Sequence, residues 1–244
     1  MGAVDLWTTM VVVLVAAMVQ STTGFGFSLL AVPLISLVLP TESAVVIAAT
    51  LGTLTSSAQA IGQREHGDRP TILRMLAGAA VGAPFGLILL TVASNRQLKF
   101  GLAAVIIAFL VINLRGLTIE RGSRGVDVVA GTISGVLNTS LSSNGPPLVM
   151  ALHARHMSPS AFRATISAVF AGTGVITVGL FLASGRYDSD VRKLLVAAVP
   201  AMVMGYAIGA RVRPHIDPPR FRQAVMVLLT ATAIITLAGA LMAS

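Results

Sequence analysis

Two stretches of this chain carry neutral polar residues inside otherwise apolar runs. The first reads Gln20-Ser21-Thr22-Thr23-Gly24-Phe25-Gly26-Phe27-Ser28, and the second Asn138-Thr139-Ser140-Leu141-Ser142-Ser143-Asn144-Gly145-Pro146-Pro147. Amides and hydroxyls supply hydrogen-bond donors, and glycines let a ligand reach the backbone with no side chain in the way. Neither stretch holds an Asp or Glu, which a cation site would want. A helix that restarts after a break presents unpaired N–H groups and a positive dipole end. The chemistry favoured is therefore the holding of a small anion by neutral donors. The candidate substrate-binding residues are Gln20, Thr23, Gly24, Gly26 and Ser28 in the first stretch, and Asn138, Thr139, Ser140, Ser142 and Asn144 in the second. Pro33 and Pro147 follow in the returning arms, where each is expected to free a carbonyl.

The elements that carry these residues belong to a membrane protein. Of 244 residues, 55% are hydrophobic and 11% charged, against roughly 25% charged in soluble domains. A water-soluble enzyme is excluded on that balance. The chain has 17 Lys+Arg against 9 Asp+Glu, a net charge of +8. Because the basic residues sit at the ends of apolar runs, they read as membrane-surface anchors, and no nucleic-acid partner is expected. Cysteine is absent, which removes disulfides, thiolate catalysis and cysteine metal sites. The N-terminal segment has no basic leader region and carries Asp5, so it is expected to stay in the mature protein.

Charge-free runs cover 6–41, 43–63, 75–95, 100–114, 128–154, 164–185, 194–210 and 223–244. Six suit single crossings. The run 6–41 has 36 residues and 128–154 has 27; a 36-residue helix would be ~54 Å long against a hydrocarbon core of ~30 Å. Each is read as a broken helix whose non-helical turn lies deep in the membrane, which is tolerated only beside protein or a water-filled cavity. Gly82-x-x-x-Gly86 recurs as Gly205-x-x-x-Gly209 at an offset of 123, and the breaks align at 114, Ser28 on Ser142 and Pro33 on Pro147.

Charge placement selects the topology. If each broken run crosses once, basic residues divide almost evenly. If each returns to the side it entered, Arg64, Arg69, Arg74, Arg115, Arg121, Arg124, Arg155, Arg163, Arg211, Arg213, Arg220 and Arg222 share one side. Arg96, Lys99, Arg186, Arg192 and Lys193 take the other. The uneven split follows the positive-inside rule. The expected fold is an all-α polytopic membrane protein of two inverted repeats, each a broken or re-entrant helical segment plus three transmembrane helices, with both termini extracytoplasmic. The first repeat, 1–118, holds the broken segment 6–41 and helices 43–63, 75–95 and 97–115. The second, 119–244, holds the broken segment 127–154 and helices 160–185, 191–211 and 220–243. Opposed breaks at the middle of inverted repeats are a secondary-transporter layout.

Other chemistry is thinner. Ser and Thr in membrane helices commonly serve packing and backbone bonding. Thr50, Thr53, Thr55, Ser56, Ser57 and Gln59 form a second polar set, with Thr165, Ser167, Thr173 and Thr177 a sparser one. Gly78, Gly82 and Gly86, like Ala201, Gly205 and Gly209, have helix-packing spacing; packing within the chain is favoured over a homodimer interface. His66, His153, His156 and His215 lie at segment ends and read as interface residues, a pH sensor at His153 and His156 being the alternative. Ser134 before Gly135 resembles an intramembrane serine nucleophile, but no base lies within its run. No catalytic residue, metal or cofactor is assigned. An anion channel stays open beside a carrier.

At the breaks the sequence resembles the sulfite exporter TauE/SafE family of membrane permeases. The resemblance is carried by "AVPLISLVLP" at Ala31–Pro40 and "GTISGVLNTSLSSNGPPLVMAL" at Gly131–Leu152. The family's runs of glycine are thinned here to Gly24-Phe25-Gly26 and to Asn138-Thr139-Ser140-Leu141-Ser142. The resemblance implies transport, often export, of sulfite or an organosulfonate such as sulfoacetate or taurine across a bacterial inner membrane.

Overall fold

The computed structural model describes residues 2–115, 122–215 and 218–242. The expected boundary at 118/119 and Arg121 lie outside the described residues. Each overlong run is two helices joined by a short turn. α1 (Ala3–Thr23) stops at Gly24 and α2 (Phe27–Ile35) restarts after Gly26. α6 (Arg124–Leu141) stops at Ser142 and α7 (Gly145–His153) restarts after Asn144. At nine residues, α2 and α7 are each ~13 Å long, under half of a bilayer core of ~30 Å.

The other helices are α3 (Thr41–Gly62), α4 (Arg69–Val92), α5 (Asn95–Arg115), α8 (Pro159–Ala183), α9 (Ser189–Val212) and α10 (Pro218–Met242). Among the described residues, α1, α3, α4, α5, α8 and α9 are long and apolar enough to cross a membrane. α4 begins six residues before the charge-free run 75–95. Pro70 sits in its first turn, where a missing N–H costs nothing, and Arg74 is accommodated inside the helix by an ion pair to Asp127.

Burial runs opposite to that of a soluble helix. In α4 the small residues Gly78, Ala79, Gly82, Ala83 and Gly86 face inward, while Val81, Phe85, Ile88 and Val92 are exposed. Lipid solvates large apolar side chains as well as a protein core does, so helices associate through the small residues that let backbones approach. A Cβ at Gly82 would overlap the Thr132 carbonyl oxygen of α6, and one at Gly205 would overlap the Leu14 carbonyl oxygen of α1. Both small-residue rows are thus spent on packing within the chain.

These contacts repeat when the first five helices are exchanged for the last five. α4 packs on α6 as α9 packs on α1, while α3 meets α8 and α5 meets α10. Gly82 faces Thr132 and Gly86 faces Val136; Gly205 faces Leu14 and Gly209 faces Met18. The glycines are 123 apart, as the sequence comparison aligned them, but their α1 and α6 partners are 118 apart. The helix ends at the breaks also match at 118: Gly24 with Ser142, Phe27 with Gly145, Thr41 with Pro159. The alignment of the breaks at 114 is therefore corrected. Similar residue types had matched across different backbone positions.

Candidate functional site

At the first break Gly24 adopts φ +88° and its N–H returns 2.7 Å to the Gln20 carbonyl, closing α1. Gly26 follows at φ +97°. Two left-handed residues in three reverse the chain, and glycine takes that conformation without Cβ strain. The Thr23 hydroxyl is used locally, on the Val19 and Phe25 carbonyls at 2.9 and 2.5 Å.

The second break makes a related turn with different residues. Ser142 takes the left-handed position at φ +53°. Its N–H bonds the Asn138 carbonyl at 2.8 Å and the Ser143 N–H bonds the Leu137 carbonyl at 3.2 Å, a paired helix-end closure. Pro146 and Pro147 fall in the first turn of α7. There Pro147 frees no carbonyl, contrary to the sequence expectation, because first-turn N–H groups lack an intrahelical acceptor anyway. Pro33 does lie inside α2.

Both breaks border one cavity of about 40 Å³. Of the candidate residues, Gln20, Gly26, Ser28, Asn138, Ser142 and Asn144 line it. Thr23, Gly24, Thr139 and Ser140 do not. Thr139 bonds Thr177 at 2.9 Å and the Ser140 hydroxyl bonds the Val136 carbonyl of its own helix at 2.7 Å. The two halves touch inside the cavity where Ser142 Oγ donates to Ser28 Oγ at 2.8 Å.

α3 supplies a third wall through Gly52, Thr53 and Ser56, two of which belong to the second polar set read from the sequence. That set is split. Thr55 and Ser56 bond the Gln20 side chain, Gln59 bonds its carbonyl at 3.0 Å, and Thr50 bonds Tyr187 at 2.8 Å, away from the cavity. Phe25, Phe27, Leu29, Ala49, Ser143, Gly145, Phe170 and Gly174 complete the lining; of these, Leu29, Ala49, Phe170 and Gly174 lie outside the polar stretches that the sequence singled out. Phe170 and Gly174 lie one turn apart on α8, a spacing that the contact with α3 alone makes meaningful.

No lining residue is Asp, Glu, Lys, Arg or His. The Gln20 carbonyl near the end of α1 and the Leu137 and Asn138 carbonyls near the end of α6 are taken up by the N–H groups that close those helices, while the N–H groups of Phe27, Ser28 and Leu29, cavity-lining residues in the first turn of α2, lack intrahelical acceptors. At α7 the two prolines remove most such donors, so side chains carry the second break. The residue types fit an anion with several acceptor oxygens.

Charge gathers at the two ends of the bundle. Asp127, fully buried, accepts from Arg74 Nε at 2.7 Å and from Arg155 Nε at 2.8 Å. Arg74 also reaches Thr71 at 2.9 Å. At the opposite end of α3, Glu42 pairs with Arg186. Burial pushes the neighbouring Tyr187 phenol above its ordinary value. Asp127 escaped the sequence reading because it stands one residue before the charge-free run, where it looked like a surface charge.

The family described as "Sulfite exporter TauE/SafE" matches residues 9–236. The probable inner membrane transporter protein TsaS of Comamonas testosteroni is 31% identical over 163 residues, which cover 66% of this chain and 68% of that protein. No solved structure matches.

Proposed function

Since the chain belongs to the sulfite exporter TauE/SafE family of membrane transporters, we propose that it is a secondary carrier exporting sulfite or an organosulfonate such as sulfoacetate or taurine. The observation that carries this reading is the convergence of both helix breaks on one uncharged, donor-lined cavity. An oxyanion is neutralised there by N–H and O–H dipoles. Release needs no buried ion pair to be broken, which suits a carrier that must let its cargo go.

The two sets of five helices are read as inverted repeats, with the arginine-rich loops in the cytoplasm and both termini outside. The exchange of neighbours between the halves supports that reading, as does the uneven placement of Lys and Arg. The name of the Comamonas relative supports an inner-membrane location.

The test is a thermal-shift screen of the purified protein with sulfite, sulfoacetate, taurine and matched carboxylates, since a ligand that binds the folded state raises its melting temperature. Saturable flux with counterflow in proteoliposomes is then expected. Flux at near-diffusive rates without counterflow would make the protein a channel, and stabilisation by carboxylates alone would change the substrate class.

A further inference from the structure

The most closely matched groups in the cavity are two side-chain amides. Gln20 stands four residues before the residue that closes α1, and Asn138 four before the one that closes α6; each carbonyl accepts that residue's N–H. They are equivalent under the exchange of halves. Both are almost wholly buried, at 2% and 5% exposure, and both line the cavity.

Each amide is held by hydroxyls from the third helix of its own half, α3 or α8. Gln20 Nε2 donates to Ser56 Oγ at 2.9 Å, and its Oε1 accepts from Thr55 Oγ1 at 2.7 Å. Asn138 Nδ2 donates to Thr177 Oγ1 at 2.8 Å. Thr177 is completely buried and is itself fixed by Thr139 at 2.9 Å. A carboxamide nitrogen carries two hydrogens. One from each amide goes to Ser56 or Thr177, so one from each remains.

From this pairing, and resting on the anion-carrier reading above, we infer that Gln20 and Asn138 form a two-amide clamp for an oxyanion. Ser56 and Thr177 are its positioning residues. The substrate class is one that presents at least two acceptor oxygens in different directions, and a spherical halide is not retained. Each half of the protein contributes one amide, so the bound oxyanion joins the halves across the cavity in addition to the Ser142–Ser28 hydrogen bond.

The test uses the full-length protein in detergent, with sulfite and chloride as probes. Gln20→Glu and Asn138→Asp keep side-chain shape while replacing the NH2 donor with a charged oxygen. Each is expected to lose sulfite affinity by well over tenfold, because a repelling acceptor replaces a donor to a charged ligand. Thr177→Val and Ser56→Ala, which remove only the positioning hydroxyls, are expected to lose about tenfold, and Thr177→Ser to restore wild-type affinity. Melting temperatures without ligand report folding separately, and the isosteric Thr177→Val stands in should Ser56→Ala fail to fold. Unchanged sulfite affinity in folded Thr177→Val, or chloride binding as tight as sulfite in the wild type, overturns the clamp and leaves the carrier reading standing. A wild type that binds no oxyanion overturns both.

Discussion

At the scale of single residues, burial separates groups that composition makes look alike. Asn138 and Ser140 lie one half-turn apart on α6, and both are polar and buried. Asn138 lines the cavity, while Ser140 is bonded to its own helix at Val136. Asn138→Ala is therefore expected to weaken sulfite binding about tenfold or more, the cost of one hydrogen bond to a charged ligand at roughly 1.5–3 kcal/mol. Ser140→Ala is expected to leave affinity unchanged, and isothermal titration of both variants checks the contrast. Asp127 is the opposite case, a charged residue far from the cavity that holds two arginines. Asp127→Asn leaves both guanidiniums without their carboxylate and is expected to destabilise the fold by about 3–5 kcal/mol. Denaturant titration in detergent micelles measures that loss; a change under 1 kcal/mol would mean water satisfies the arginines.

At the scale of helices, glycine position decides what a substitution does. Gly82 on α4 and Gly205 on α9 sit against the carbonyls of Thr132 and Leu14, with no room for a methyl group. Gly82→Ala and Gly205→Ala should each destabilise by about 1–3 kcal/mol or more, since packed backbones must separate. Gly179 on α8 has nothing within 4 Å of where a Cβ would stand. Gly179→Ala should therefore be neutral or gain up to about 1 kcal/mol of helix propensity. Melting temperatures of the three variants, compared in one detergent, decide the matter: equal losses in all three would discount close packing as the cause. The breaks obey different physics. A Cβ at Gly24 would meet open space, so a bulky side chain there acts through left-handed backbone strain rather than by filling the substrate's approach.

At the scale of the whole molecule, the proposed orientation puts the arginine-rich end of the bundle in the cytoplasm. The loop holding His66 and the turn at Gly122 carry the Arg74–Asp127–Arg155 end, and Glu42–Arg186 marks the other. The absence of native cysteine makes accessibility mapping direct. His66→Cys and Gly122→Cys are expected to react with a membrane-impermeant maleimide only in inside-out vesicles, and Glu42→Cys only in intact cells. Labelling of His66→Cys in intact cells would reverse the orientation.

Composition and the spacing of charges were enough to read an all-helical membrane protein, the two breaks and the use of small residues for packing. Each depends on chain-local physics: the thickness of the bilayer against run length, the cost of charge in hydrocarbon, and glycine or proline where a helix must stop. Gln20, Gly26 and Ser28 were likewise visible as donors at a break. Tertiary structure alone decided which donors share a cavity, because that depends on α3 and α8 crossing beside the turns and bringing Ser56 and Thr177 onto Gln20 and Asn138. It also decided the true correspondence of the halves. A one-dimensional alignment rewards matching letters, and so set Ser28 on Ser142. In three dimensions backbone position rules: Gly24 and Ser142 each end a helix in the same left-handed turn, and Ser28 and Ser142 are not counterparts but hydrogen-bond partners.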